Sequence, residues 1–168
     1  MKTQKKIPAI RAIQTPCGEF AAHYSETGLA RLDFPGRKKI AETPGVSPAV
    51  RRWHKKASCA VTRVWQGRVA GELPPLDLTN ATDFQRQVWA ALRQIPAGQT
   101  KSYGQVAAAM GRPGAARAVG NACAANPIPL LIPCHRVLAS GGRLGGFSGG
   151  LPWKRRLLAQ EGLAVTGQ

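Results

Sequence analysis

Ile132-Pro133-Cys134-His135-Arg136-Val137 sets a thiol beside an imidazole and a guanidinium. An ordinary cysteine has a pKa of about 8.5, and only its thiolate is a good nucleophile. A base that takes the proton and a cation that steadies the anion are what a reactive thiol requires. Pro127, Pro129 and Pro133 box the segment. Each fixes φ and removes a backbone donor, which predicts a stiff, shaped loop rather than a helix. A Cys-His pair alone is more often a buried cysteine near a strand end. The acid count shifts that balance: after Asp83 the chain holds a single acidic side chain, Glu161. A base needs something to orient it, usually a carboxylate. In this half of the chain Glu161 is the one candidate.

The elements that must carry these residues follow from composition and pattern. The chain has 168 residues, is 43% hydrophobic and has a formal charge of +16. That size suits one domain, or two small ones sharing an interface. So large a positive excess points to a polyanionic partner, nucleic acid first. Residues 84–168 hold ten basic residues and one acid; residues 1–83 hold fourteen and seven. Cys17, Cys59, Cys123 and Cys134 form no CxxC pair and no zinc-finger spacing. Reduced, cytosolic thiols are expected rather than a disulfide scaffold. No run of 18 apolar residues offers a membrane span. Residues 7–22 lack the clean apolar core of a signal peptide.

Residues 1–14, with Lys2, Lys5 and Lys6, read as a loose basic tail. Glu19–Tyr24 and Leu29–Phe34 read as short strands around a Glu26-Thr27-Gly28 turn. Ser47-Pro48 opens a helix to about Trp65. Val50, Trp53, Ala57, Ala60, Val61 and Val64 form its apolar stripe, while Arg51, Arg52, Lys55 and Lys56 make a solvated face. Leu76-Asp77-Leu78 after Pro74-Pro75 suggests a last strand, with a domain boundary near residue 80. Thr82 with Gln85, and Ser102 with Gln105, are capping-box pairs that open helices to about Gln94 and Met110. A turn at 111–114 and a small-residue helix over Ala115–Ala125 then complete a helix-turn-helix. The second helix of that motif enters a DNA groove, and Arg117 is its one long charged side chain. The small residues equally suit close helix packing inside the protein.

Val137-Leu138-Ala139 reads as a short strand. Ser140–Gly150 has six glycines in eleven residues. Such a segment permits close backbone approach to a ligand, or is simply a flexible surface loop. The last helix spans Pro152 to about Gln160, with Lys154, Arg155 and Arg156 on one side. Glu161 ends it, where the helix macrodipole disfavours a carboxylate. An acid there points to a cationic or imidazole partner.

Several pieces together closely resemble the O6-alkylguanine-DNA alkyltransferases, the methylated-DNA–protein-cysteine methyltransferases. They are Ser102-Tyr103, Ala115-Ala116-Arg117-Ala118-Val119-Gly120, Asn126-Pro127, the Pro133-Cys134-His135-Arg136-Val137 string, Phe147-Ser148-Gly149-Gly150-Leu151 and Glu161-Gly162. The likeness covers roughly Phe84 to Gly162 and is loose over the first 80 residues. It implies DNA repair by direct reversal. An alkyl group on O6 of guanine, or O4 of thymine, passes irreversibly to Cys134 once the nucleotide is flipped out of double-stranded DNA. By the same resemblance, His135 would be the base through a bridging water, and Glu161 would orient it. Adjacent residues of an extended chain point opposite ways, which favours such a bridge over direct contact. Tyr103 would rotate the nucleotide and protonate the leaving guanine, and Asn126 would be the hinge. Ser148, Val137 and Gly149 would contact the substrate. Arg117 would fill the place of the extruded base, with Ala116, Tyr103 and Arg136 also on DNA.

The resemblance further implies minor-groove binding largely independent of sequence. It implies a single-turnover methyltransferase that acts as a monomer in the cytoplasm, on the nucleoid if bacterial, without a cofactor. Cys17 and His23 do not fall where animal relatives bind zinc, so no metal is expected. Phe147 stands where relatives often have tyrosine. The expected architecture is α+β. A small N-terminal β-sheet plus helix domain occupies 1–80, including the 1–14 tail. A mainly helical domain over 81–168 holds the helix-turn-helix and the site. Three rivals differ in testable ways. A lesion-flagging relative lacks the acceptor cysteine, which this chain keeps. A helix-turn-helix regulator binds one operator, usually as a dimer, and no dimerisation helix is evident. A cysteine hydrolase turns over repeatedly and needs an oxyanion hole, which the glycine-rich segment could supply.

Overall fold

Three short strands open the fold: β1 (Ala9–Thr15), β2 (Gly18–Tyr24) and β3 (Leu29–Asp33), an antiparallel meander in that order. The computed structural model describes residues 9–36 and 38–164, so Lys2, Lys5 and Lys6 lie outside it. β1 corrects the expectation of a loose tail through residue 14. Its partner fixes it more than its own composition does. Ile13 pairs with Phe20, and Thr15 Oγ1 donates to Gly18 O at 2.7 Å across the turn. Ala9, Ile13, Phe20, Ala22, Tyr24, Leu29 and Leu32 give the sheet a buried face. α1 (Pro48–Trp65) covers that face, contacting β1 and β2. The Ser47 hydroxyl caps it by accepting from Val50 N, with Pro48 at the first helical position. Val50, Ala57, Ala60, Val61 and Val64 are buried, while Arg51, Arg52 and Lys55 are exposed.

The segment after Pro74-Pro75 makes a single parallel bridge, Leu29 to Leu76, instead of the expected strand. Prolines cannot donate to a ladder, which limits pairing there. Next come α2 (Asp83–Leu92), β4 (Lys101–Ser102), α3 (Tyr103–Ala109) and α4 (Ala116–Ala124). Both capping boxes form: Thr82 with Gln85 and Ser102 with Gln105 exchange side-chain and backbone hydrogen bonds. α3 and α4 pack together as the helix-turn-helix, and α2 packs on α4. Trp89 Nε1 fixes the second contact by donating to Ala122 O at 2.8 Å. β5 (Val137–Leu138) runs parallel to β4, and α5 (Leu151–Gln160) closes the fold.

One buried cluster runs from the sheet through α1 into α2, α3, α4 and the Cys134 segment. Aromatic rings bridge the two halves of the chain. The Phe34 ring centroid lies 4.9 Å from that of Trp153 and 5.6 Å from that of Phe147. The sheet therefore supports the glycine-rich segment directly. The architecture is mixed α+β, as the sequence predicts.

Candidate functional site

Cys134 opens a single 3-10 turn, Cys134–Arg136. This replaces the extended backbone on which the expectation of a water bridge between Cys134 and His135 relies. Successive side chains in such a turn diverge by about 120° rather than pointing opposite ways. Asn126 ties the segment together. Its Nδ2 donates to Ile132 O at 2.8 Å and to Cys134 Sγ at 3.1 Å, and its Oδ1 accepts from Ile128 N at 3.0 Å. Between them Leu130 has φ +69, the one left-handed non-glycine residue among those described. That conformation costs about 1–3 kcal/mol. Burial of Ile128, Leu130, Leu131 and Ile132 holds it in place. Burial also pushes the Cys134 thiol above its ordinary pKa, while the Asn126 amide and the Lys154 charge pull it back. The resting group is thus a thiol, and its thiolate has to be made by a base.

His135, fully buried, is the neighbouring side chain whose chemistry suits that base. Its Nε2 lies 2.9 Å from Glu161 Oε1. Burial alone would raise the Glu161 pKa, but hydrogen bonds and charge from His135 and Arg136 hold it at about 2. An ionised carboxylate only accepts, so His135 Nε2 donates and Nδ1 keeps the lone pair. Nδ1 is buried without a hydrogen-bond partner among the described residues. Burial lowers the imidazole pKa below its ordinary value, against the pull of Glu161. A neutral ring with a bare Nδ1 is ready to take a proton. Gly98 completes the Glu161 cradle, its amide donating to Oε2 at 3.1 Å from a turn with φ +77. That backbone favours glycine.

Arg136 corrects an expectation. The resemblance puts it on DNA, yet it is buried. Its Nη1 donates to Ile95 O at 2.6 Å, and its Nη2 donates to Glu161 Oε1 at 2.8 Å. A guanidinium spent on a buried carboxylate is not free for phosphate.

Cys134 lines the inner part of a cleft of about 450 Å³, together with Tyr103, Ala116, Arg117, Cys123, Phe147 and Ser148. α4 forms one wall and leaves Arg117 exposed beside the mouth. Tyr103 begins α3 next to β5, through the pairing of Ser102 with Leu138. Its ring stands between Gly120 and Gly145; a Cβ on Gly145 would sit 3.0 Å from its hydroxyl. Burial, then the charges of Cys123 and Cys134, raise the Tyr103 pKa and keep it a proton donor. Burial and the Cys134 charge push the neighbouring Cys123 thiol up to about 12, so it stays inert. Ser148 is exposed at the cleft. Val137 and Gly149 are not among the residues that line it. Val137 is fully buried, and Gly149 lies against Phe34, where a Cβ would come within 2.5 Å of the ring.

Lys154 was read as part of a basic side of the last helix; the structure buries it completely. Its Nζ donates to Val137 O at 2.7 Å, to Leu144 O, and to Gly146 O at 3.4 Å. It thereby pins the strand leaving Cys134 to the glycine-rich wall. Burial lowers its pKa to about 8, while the charges of the two nearby thiols act the other way. The available signal was its spacing, three and four residues before the buried Leu157 and Leu158. Among the described residues no group of three or more His, Cys, Asp or Glu side chains converges as a metal site.

Comparisons with known proteins show which family the chain resembles along its length. Residues 83–163 match the family model described as 6-O-methylguanine DNA methyltransferase, DNA binding domain. A methylated-DNA–protein-cysteine methyltransferase of Methanosarcina barkeri is 40% identical over 152 residues, covering 89% of this chain and 94% of the relative. One from Salmonella typhimurium is 55% identical over 97 residues, covering 55% of this chain and 57% of the relative. Among solved structures, Mycobacterium tuberculosis OGT in complex with DNA superposes with a TM-score of 0.69 at 37% identity, covering 91% of this chain and 92% of that one. With likeness at this level along nearly its whole length, the chain belongs to the methylated-DNA–protein-cysteine methyltransferase family.

Proposed function

We propose that the protein repairs double-stranded DNA by moving an alkyl group from O6 of guanine, or O4 of thymine, irreversibly to Cys134. One observation carries the reading. A thiol held by Asn126 lines a cleft beside the exposed Arg117 face of α4, next to a buried imidazole oriented by a carboxylate. His135 Nδ1 takes the thiol proton through a bridging water. The sulfur attacks the alkyl carbon, an S–C bond forms and the C–O bond breaks. The electron pair passes into the guanine ring, where the Tyr103 hydroxyl delivers a proton and lets guanine leave neutral. The proton gained by His135 replaces the one lost by Tyr103. Nothing restores the thioether to a thiol, so each protein acts once.

The target carbon is stacked inside the duplex, and extruding a nucleotide costs a few kcal/mol. α4 enters the minor groove, where Ala116 permits close approach and Arg117 fills the vacated place in the stack. Ser148 contacts the alkylated oxygen. Val137 and Gly149 act indirectly, by shaping the wall that carries it. Phosphate contacts make binding largely independent of sequence. Residues 81–168 carry the chemistry as a monomer, and residues 1–80 buttress the glycine-rich wall. No helix among the described residues is long and apolar enough to cross a membrane, and we place the protein with the DNA in the cytoplasm. The test is titration with excess duplex carrying O6-methylguanine. Repair should plateau at one lesion per protein; continued turnover would favour a hydrolase.

A further inference from the structure

α4 presents Arg117, Ala118, Asn121 and Ala124 to solvent. The two alanines have no side-chain hydrogen-bonding groups. Arg117 and Asn121 stand four residues apart, on one face and one turn along the helix. Both line the cleft that reaches Cys134. Among the described residues the Asn121 carboxamide makes no side-chain hydrogen bond, whereas that of Asn126 spends its donor and acceptor on Ile132, Cys134 and Ile128. Asparagine is a poorer mid-helix residue than the alanines around it. Neither capping nor packing accounts for its presence.

We infer that Asn121 reads the base pair flanking the extruded nucleotide through its minor-groove edge, and favours G·C over A·T there. The inference rests on the functional reading above. One helical turn advances about 5.4 Å, against about 3.4 Å per base-pair step. With α4 lying along the groove and Arg117 in the place of the lost base, Asn121 comes within reach of the neighbouring pair. Every pair offers acceptors on its minor-groove edge, but guanine alone adds an amino donor. A carboxamide carries both a donor and an acceptor. It can satisfy both with guanine and one with any other base. Ala118 and Ala124 let the helix approach closely enough for so short a side chain to reach the groove floor.

The test uses the full chain and duplexes that differ only in the pair flanking O6-methylguanine: G·C, inosine·C or A·T. Inosine pairs as guanine does but lacks the amino group. With protein below saturation, the wild type should repair the G·C duplex about fivefold faster than the other two, or more. Asn121→Ala should repair all three equally. The readout is the ratio between the three duplexes within each protein, which a general slowing from a disturbed cleft would leave at its wild-type value. Equal wild-type rates on G·C and inosine·C, or a preference that survives Asn121→Ala, would overturn the inference. Absence of transfer to Cys134 from every duplex would overturn the functional reading itself, and the inference with it.

Discussion

Burial raises the Cys134 pKa and lowers that of His135, so in the proposed mechanism Cys134 is a poor thiolate at rest and becomes a nucleophile only when His135 takes its proton. Single-turnover transfer should therefore stay level through neutral pH and fall only below the ordinary imidazole value of about 6.5. Glu161→Gln removes the group that raises the imidazole pKa. The fall should move to still lower pH, and the plateau should drop on the order of a hundredfold, the scale of general-base help. Glu161 also ties pH to stability. Its folded pKa of about 2 lies below the unfolded value of about 4.3, so its contribution is present above 4.3 and is lost as pH falls toward 2. Denaturant midpoints over that range should show wild-type stability falling by on the order of 3 kcal/mol more than that of Glu161→Gln. Lys154→Met leaves the buried carbonyls of Val137 and Leu144, and the carbonyl of Gly146, without this donor. It should cost about 1–3 kcal/mol of stability and slow transfer; an unchanged rate would show that the lysine does not position the site. Cys134 and Glu161 were legible because chemistry-bearing types are scarce in this half of the chain. Arg136 and Lys154 were misplaced because a charged residue is read as exposed unless its buried partner is visible, and those partners lie 25 and 17 residues away.

At the scale of elements, the site depends on where short pieces begin. Ser102 caps α3 and pairs with β5, so one residue fixes both the start of Tyr103 and its distance from the Cys134 strand. The capping boxes were legible because they are local, three residues from end to end. β1 was not, since its ladder belongs to β2 and its own seven residues carry no clean apolar alternation, with Arg11 and Gln14 among them. The 3-10 turn at Cys134 was equally hidden: it depends on Asn126 reaching across the proline-boxed segment to Ile132. Contact between Phe34, just after β3, and the glycine-rich segment supplies the prediction at this scale. Gly149→Ala would drive a methyl group to within 2.5 Å of the Phe34 ring. Overpacking of this kind costs about 1–3 kcal/mol, and the displaced wall carries Ser148. Thermal unfolding should show the loss, and repair of duplex DNA should slow. The same repair rate with a lowered midpoint would restrict Gly149 to packing.

Over the whole molecule, a formal charge of +16 acts on a polyanion. Duplex affinity should fall steeply with salt, linearly in the logarithms, with a slope of about −0.9 for each phosphate neutralised. Arg117→Ala should slow repair of paired DNA far more than transfer from the free nucleoside. Its salt slope should change by no more than about one contact. Charge was legible from composition alone, and so was the α+β class from the order of elements. Continuity of the core across residue 80 was not, because it rests on Phe20, Phe34 and Trp65 meeting Trp153 across 88 to 133 residues of chain. The most direct measurement is peptide mass mapping after one turnover on duplex DNA carrying O6-methylguanine, with Cys134→Ala in parallel. The account predicts one methyl group per protein, on the Cys134 peptide alone, and none on the variant although it still binds the duplex. A methyl group elsewhere, or binding of the lesion by the wild type without transfer, would contradict it.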